Sequence, residues 1–176
     1  MSTTDTLTHR HTLREANITR QIEWCTAGEL SLAYSGNELA GELGEFIEVW
    51  EDFNLDRYKA ELADVVICID LIALRRGIDL DTVVVGCANA EQAIRMLSIK
   101  VGHACNSIKK LERESLGMKG SRSSDAELHD HLAAASSYAF LLAAYAGFSL
   151  DDAVAAKFNA TSEKVGLKTR YTPLAA

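Results

Sequence analysis

A chain of 176 residues, 48% hydrophobic and 24% charged, is long enough to bury a sizeable core in one domain. Its formal charge of −7 argues against a general affinity for nucleic acid or anionic membrane. The four cysteines, Cys25, Cys68, Cys87 and Cys105, are scattered without a Cys-x-x-Cys pair, which argues against a zinc site or a disulfide framework.

The N-terminus, Met-Ser-Thr-Thr-Asp-Thr, lacks the basic and apolar pattern of a signal peptide, so a cytoplasmic protein is expected. Residues 1–14 read as a disordered tail, with His9 and His11 as tail residues instead of ligands. Residues 15–170 read as a single all-α domain. The only proline is Pro173, and Ala, Leu, Glu and Lys dominate the periodic segments.

In chain order, a first helix covers about 15–26 and contains Trp24, and Thr26-Ala-Gly-Glu-Leu-Ser breaks it. An acidic helix follows over about 30–53. A loop from Phe53 to Arg57 leads into a helix over 58–76, closed by Gly77 as a C-cap. The next helix is expected over 80–93, with Asp79 or Asp81 as its cap, then another over 94–115. Gly117 to Ser124 is a basic loop. Helix 126–146 ends at Gly147, and a last helix runs from Leu150 to Val165. The Ala-rich run Leu132 to Phe148 is shorter than the roughly 20 apolar residues a bilayer requires, so it reads as a buried bundle helix.

Within the acidic helix, Glu38, Glu42 and Glu45 are spaced i, i+4, i+7 and share one face. Glu61 and Asp64 repeat the pattern at i, i+3 on the next helix, just before the apolar run Val65-Val66-Ile67. Packed antiparallel, the two helices bring four or five carboxylates together. Such a cluster costs stability unless a cation sits in it, and an all-oxygen set suits Mg²⁺ or Mn²⁺. The plain alternative is a solvated acidic face on a non-catalytic helical metal-binding or oligomerisation module. A ferritin-like di-iron site needs Glu-x-x-His, and neither Glu42 nor Glu61 has a histidine three residues on.

The halves, about 28–90 and 91–170, resemble each other as degenerate tandem repeats forming a pseudo-dimer. At an offset of 70, Glu61-Leu-Ala-Asp through Val84 matches His131-Leu-Ala-Ala through Val154, and the earlier helices match at an offset of 58. The acid positions Glu38, Glu42, Glu45, Glu61 and Asp64 become Met96, Lys100, His103, His131 and Ala134, so no metal site is expected in the second half. Conversely, Lys109 and Lys110 replace Glu51 and Asp52, and Lys157 replaces Cys87. One site between the halves is therefore expected, with metals on one wall and anion-binding cations on the other.

With these motifs the sequence resembles the MazG-like all-α nucleoside triphosphate pyrophosphohydrolases. The shared signature is Glu-x-x-Glu on one helix and Glu-x-x-Asp on the next, here Glu42/Glu45 and Glu61/Asp64. More narrowly it looks like the bacteriophage dATP/dGTP pyrophosphohydrolases of MazZ type. The matching segments include Glu38-Leu-Ala-Gly-Glu-Leu-Gly-Glu, Ile108-Lys-Lys-Leu-Glu-Arg-Glu and Lys157-Phe-Asn-Ala-Thr-Ser-Glu-Lys-Val-Gly-Leu. It departs at Gly41, where the family has a first glutamate, and Glu38 is the candidate to replace it.

The resemblance implies hydrolysis of purine dNTPs to monophosphate and pyrophosphate, with two or more Mg²⁺ or Mn²⁺ ions on Glu38, Glu42, Glu45, Glu61 and Asp64. It implies catalytic work for Glu38, Glu42 and Glu45, and substrate contacts from Lys109, Lys110, Arg113, Lys157 and Asn159. A phage-encoded member would act in the host cytoplasm. Ala-rich and Gly-rich helix faces favour a homo-oligomer, dimer or tetramer, and no membrane or nucleic-acid partner is expected.

Overall fold

The computed structural model describes residues 3–25, 30–52 and 54–173, with side chains described from Leu13 onward. These residues form six helices and no strand, so the expected all-α class holds. They are α1 (Thr3–Trp24), α2 (Leu32–Asp52), α3 (Leu55–Arg75), α4 (Ala90–Ser115), α5 (Asp125–Ala146) and α6 (Leu150–Lys164). Of the expected break at 26–31, residues 26–29 lie outside the described residues, as do the start of the loop at Phe53 and the side chains of His9 and His11, while Leu30 and Ser31 are non-helical.

Short polar side chains start four of the helices. Asn54, Asn89, Ser124 and Ser149 accept the backbone N–H three residues on, at Arg57, Gln92, Glu127 and Asp152. Gly77 and Gly147 close α3 and α5 with φ of 64° and 75°, a backbone conformation that a Cβ would strain. Ile78 N–H then donates to Ala73 O, and Phe148 N–H to Ala143 O.

α2 and α3 form one antiparallel hairpin and α4 and α5 another. α2 packs along α4 and α3 along α5, while α1 and α6 both pack on α3. The core between the hairpins holds Leu39, Phe46, Tyr58, Leu62, Ile69, Leu97, Ile108, Leu132 and Leu142, each no more than 2% exposed. Burying such side chains stabilises the fold by about 1.5–3 kcal/mol each. α5 is buried on most sides, which its alanines allow, and its Ser137 hydroxyl donates to Ala133 O. No single described helix is long and apolar enough to cross a membrane.

Two segments differ from expectation. α1 begins at Thr3, not near residue 15 after a disordered tail. Its anchors are Leu13, buried at 5% exposure, and Arg14, which donates to Asp79 and to Ile78 O. Those contacts lie far away in sequence, so local periodicity does not reveal them.

Residues 80–89 form no helix; they run as an irregular strap, and α4 starts only at Ala90. Three consecutive β-branched residues, Val83 to Val85, followed by Gly86, disfavour helix. The strap is held to α5, where Val83 N–H donates to Ser137 Oγ and the Tyr145 hydroxyl donates to Cys87 O. Asp79 is engaged by Arg14, and Asn89 caps α4 in place of Asp79 or Asp81.

Candidate metal centre

The order of acids on the α2–α3 hairpin follows from its antiparallel pairing. Glu45 lies at the level of Glu61, Glu42 at that of Asp64, and Glu38 at that of Cys68. One carboxylate oxygen from each of Glu42, Glu45 and Glu61 falls within 4.8 Å of the others. Glu45 is exposed at the mouth, whereas Glu42 and Glu61 are half-buried.

Crowding shows in the proton affinities. Burial, and then the charges of Asp64 and Glu45, push Glu42 up to about 7. Asp64 is likewise raised, because burial outweighs the help it receives from Lys157. Lys157 Nζ, reaching in from α6, lies 2.7 Å from Asp64 Oδ2 and 3.8 Å from Glu61 Oε2. Burial opposes the charge on Lys157, but its bond to Asp64 and the carboxylates of Asp64, Glu61 and Glu42 more than offset this and raise its pKa.

Glu61 Oε2 is buried and has no hydrogen-bond partner. The Lys157 ammonium, 3.8 Å away, offsets its charge without a hydrogen bond. These three carboxylates could together hold a metal ion.

Glu38 stands one turn away from the cluster. Its carboxylate raises the pKa of the nearby Tyr34 hydroxyl, and it lines a small cavity with Gln21, Cys68 and Arg75. The expected cations divide between two places. Lys157 joins the acids, but Lys109 and Arg113 line a cleft of about 480 Å³ between α2 and α4, with Ala33, Gly36, Asn37 and Ala40. At about 100° per residue those α2 positions lie on the side of the helix opposite Glu38, Glu42 and Glu45.

The cause is Gly36, whose missing side chain admits Ile108 so closely that a Cβ there would stand 3.3 Å from it. Cys105 also donates to Gly36 O. α4 therefore docks on the small-residue face of α2, away from the acids. The charge of Lys110 acts on Glu127 of α5. Of the cations expected in one site with the acids, Lys157 reaches them, while Lys109 and Arg113 line the α2–α4 cleft.

Asn159 is engaged elsewhere: its amide donates to Tyr171 O and accepts from Tyr171 N–H, fixing the segment after α6. Arg20 was not apparent from the sequence. It is 5% exposed, its guanidinium sits 3.7 Å over the Phe158 ring, and burial lowers its pKa to about 10 although Asp64 opposes the change. Neighbouring Asn17 donates to Asp70 at 2.8 Å. Both look in sequence like ordinary polar residues of an amphipathic helix.

No family model, no curated protein and no solved structure matches the chain.

Proposed function

We propose that the protein is a divalent-metal-dependent nucleoside triphosphate pyrophosphohydrolase, cleaving between the α and β phosphates. The carrying observation is the convergence of Glu42, Glu45 and Glu61 beside Lys157. Carboxylates alone would repel a substrate of about four negative charges, and an adjacent ammonium offsets that repulsion. The preference for purine deoxynucleotides rests on the resemblance of the acidic and Lys157 segments to the phage enzymes.

Glu42, Glu45, Glu61 and Asp64 would hold the metal, which when bound supplies a Lewis acid for the phosphates and lowers the pKa of a coordinated water. Lys157 is within reach to exchange its bond to Asp64 for a phosphate oxygen. Arg20 is a positioning residue, its charge held beside Asp64 by the Phe158 face.

Chromatography of dGTP incubated with the protein and Mg²⁺ tests the bond cleaved. The expected products are dGMP and pyrophosphate. Release of dGDP and orthophosphate contradicts the proposal. A non-catalytic metal-binding module remains the second reading, because Lys157 neutralises Asp64 much as a purely structural ion pair does; such a module releases neither product pair.

A further inference from the structure

The second hairpin carries imidazoles where the first carries acids. His103 on α4 and His131 on α5 occupy the positions matched to Glu45 and Glu61, and the two pairs are neighbours in their respective hairpins. The imidazole centroids stand 5.1 Å apart with 62° between the ring planes. His131 Nδ1 is buried and has no hydrogen-bond partner, although buried polar nitrogens ordinarily have one. His103 is exposed.

A metal about 2.0–2.1 Å from a ring nitrogen lies roughly 3.2 Å from the ring centre, and two rings at a near-tetrahedral angle then have centres about 5 Å apart. The observed spacing is of that size. Lys100 nearby opposes a second cation, while Glu127 and Asp130 favour one. Burial, with His103 and Lys100, holds the His131 pKa below its ordinary value, so the ring is in its neutral, metal-binding form at neutral pH. His129 is separately engaged with Asp130 and Asp81.

We propose that His103 and His131 form a site for a divalent transition ion that prefers imidazole, with Zn²⁺ and Cu²⁺ as its representatives and water completing the shell. The site is distinct from the carboxylate cluster, and ligand chemistry separates the two: nitrogen pairs select Zn²⁺ or Cu²⁺, and oxygen sets select Mg²⁺. The duplicated hairpin then holds different metals at corresponding positions. Its test needs no turnover and is independent of the proposed hydrolase activity.

The experiment is calorimetric titration of the full chain with Zn²⁺ under saturating Mg²⁺ and without nucleotide, in a His9→Gln/His11→Gln background that removes the N-terminal imidazoles. One equivalent should bind, and His103→Gln or His131→Gln should weaken it at least about 10-fold, whereas His129→Gln and Glu45→Gln should leave it within about 2-fold. Electron paramagnetic resonance with Cu²⁺ should show two equatorial nitrogens, reduced to one in His103→Gln. Unchanged affinity in His103→Gln, or no stoichiometric binding in the background protein, overturns the proposal. Because His103 is exposed, that variant decides the matter even if His131→Gln fails to fold.

Discussion

Lys157 Nζ lies 2.7 Å from Asp64 Oδ2, so an ammonium from the second half of the chain already sits at the inner end of the acid cluster of the first. An entering metal and this lysine compete for the same carboxylate. Lys157→Ala should therefore tighten Mg²⁺ binding several-fold while lowering metal-free stability by about 1–3 kcal/mol, since Asp64 and Glu61 lose their partner. Saturating Mg²⁺ should restore that stability. Calorimetry and thermal unfolding with and without Mg²⁺ check both, and an unchanged metal affinity contradicts the competition.

The raised Glu42 pKa makes the metal-free protein sensitive to pH. Its folded value of about 7 lies above the ordinary carboxylate value of 4.5, so the folded state binds more protons than the unfolded state between those limits. Its contribution is fully present below pH 4.5 and is lost as pH rises through 7. After discounting for solvent screening, a loss of about 1–2 kcal/mol is expected, and Glu42→Gln should abolish it. Mg²⁺ should bind more tightly as pH rises to 7, releasing a proton. Urea unfolding from pH 4.5 to 8 tests this, and a stability that climbs through that window in wild type but not in Glu42→Gln opposes it.

Lys109 and Arg113 face a cleft on the other side of α2. Lys109→Ala should thus leave Mg²⁺ affinity and kcat/KM within about 2-fold of wild type, whereas Lys157→Ala should lower kcat/KM about 10- to 100-fold, or 1.4–2.7 kcal/mol. Steady-state kinetics of the two variants discriminate them. A 10-fold loss in Lys109→Ala would show that substrate reaches the α2–α4 cleft.

Much of this arrangement was legible in the sequence. Helical spacing placed Glu42 and Glu45 on one face, and the antiparallel hairpin brought Glu61 to them. Gly77 and Gly147 marked helix ends through the backbone conformation they alone adopt easily. The alignment of the two halves sets His103 and His131 against Glu45 and Glu61, and in the structure each pair is adjacent.

What stayed hidden depends on tertiary contacts. Asp79, just before the strap, and Asp81 within it have the side chains of caps, but the β-branched run and the bonds to α5 prevail. Periodicity could show which residues share a face of α4, but not that Gly36 would draw Ile108 onto the face of α2 away from the acids. Nor does sequence distinguish Asn159 as a substrate contact from Asn159 as the clamp on Tyr171.

The most direct test of the central claim is pyrophosphate release from every canonical ribo- and deoxynucleoside triphosphate, with Mg²⁺ or Mn²⁺, by wild type and Glu45→Gln. Glu45 is exposed, so its amide removes a charge from the cluster without disturbing the core, and metal-free stability should be equal or higher. The account predicts metal-dependent release by wild type, greatest with purine deoxynucleotides, and its loss by at least about 100-fold in Glu45→Gln. Wild-type activity in that variant, or no pyrophosphate from any nucleotide, contradicts it.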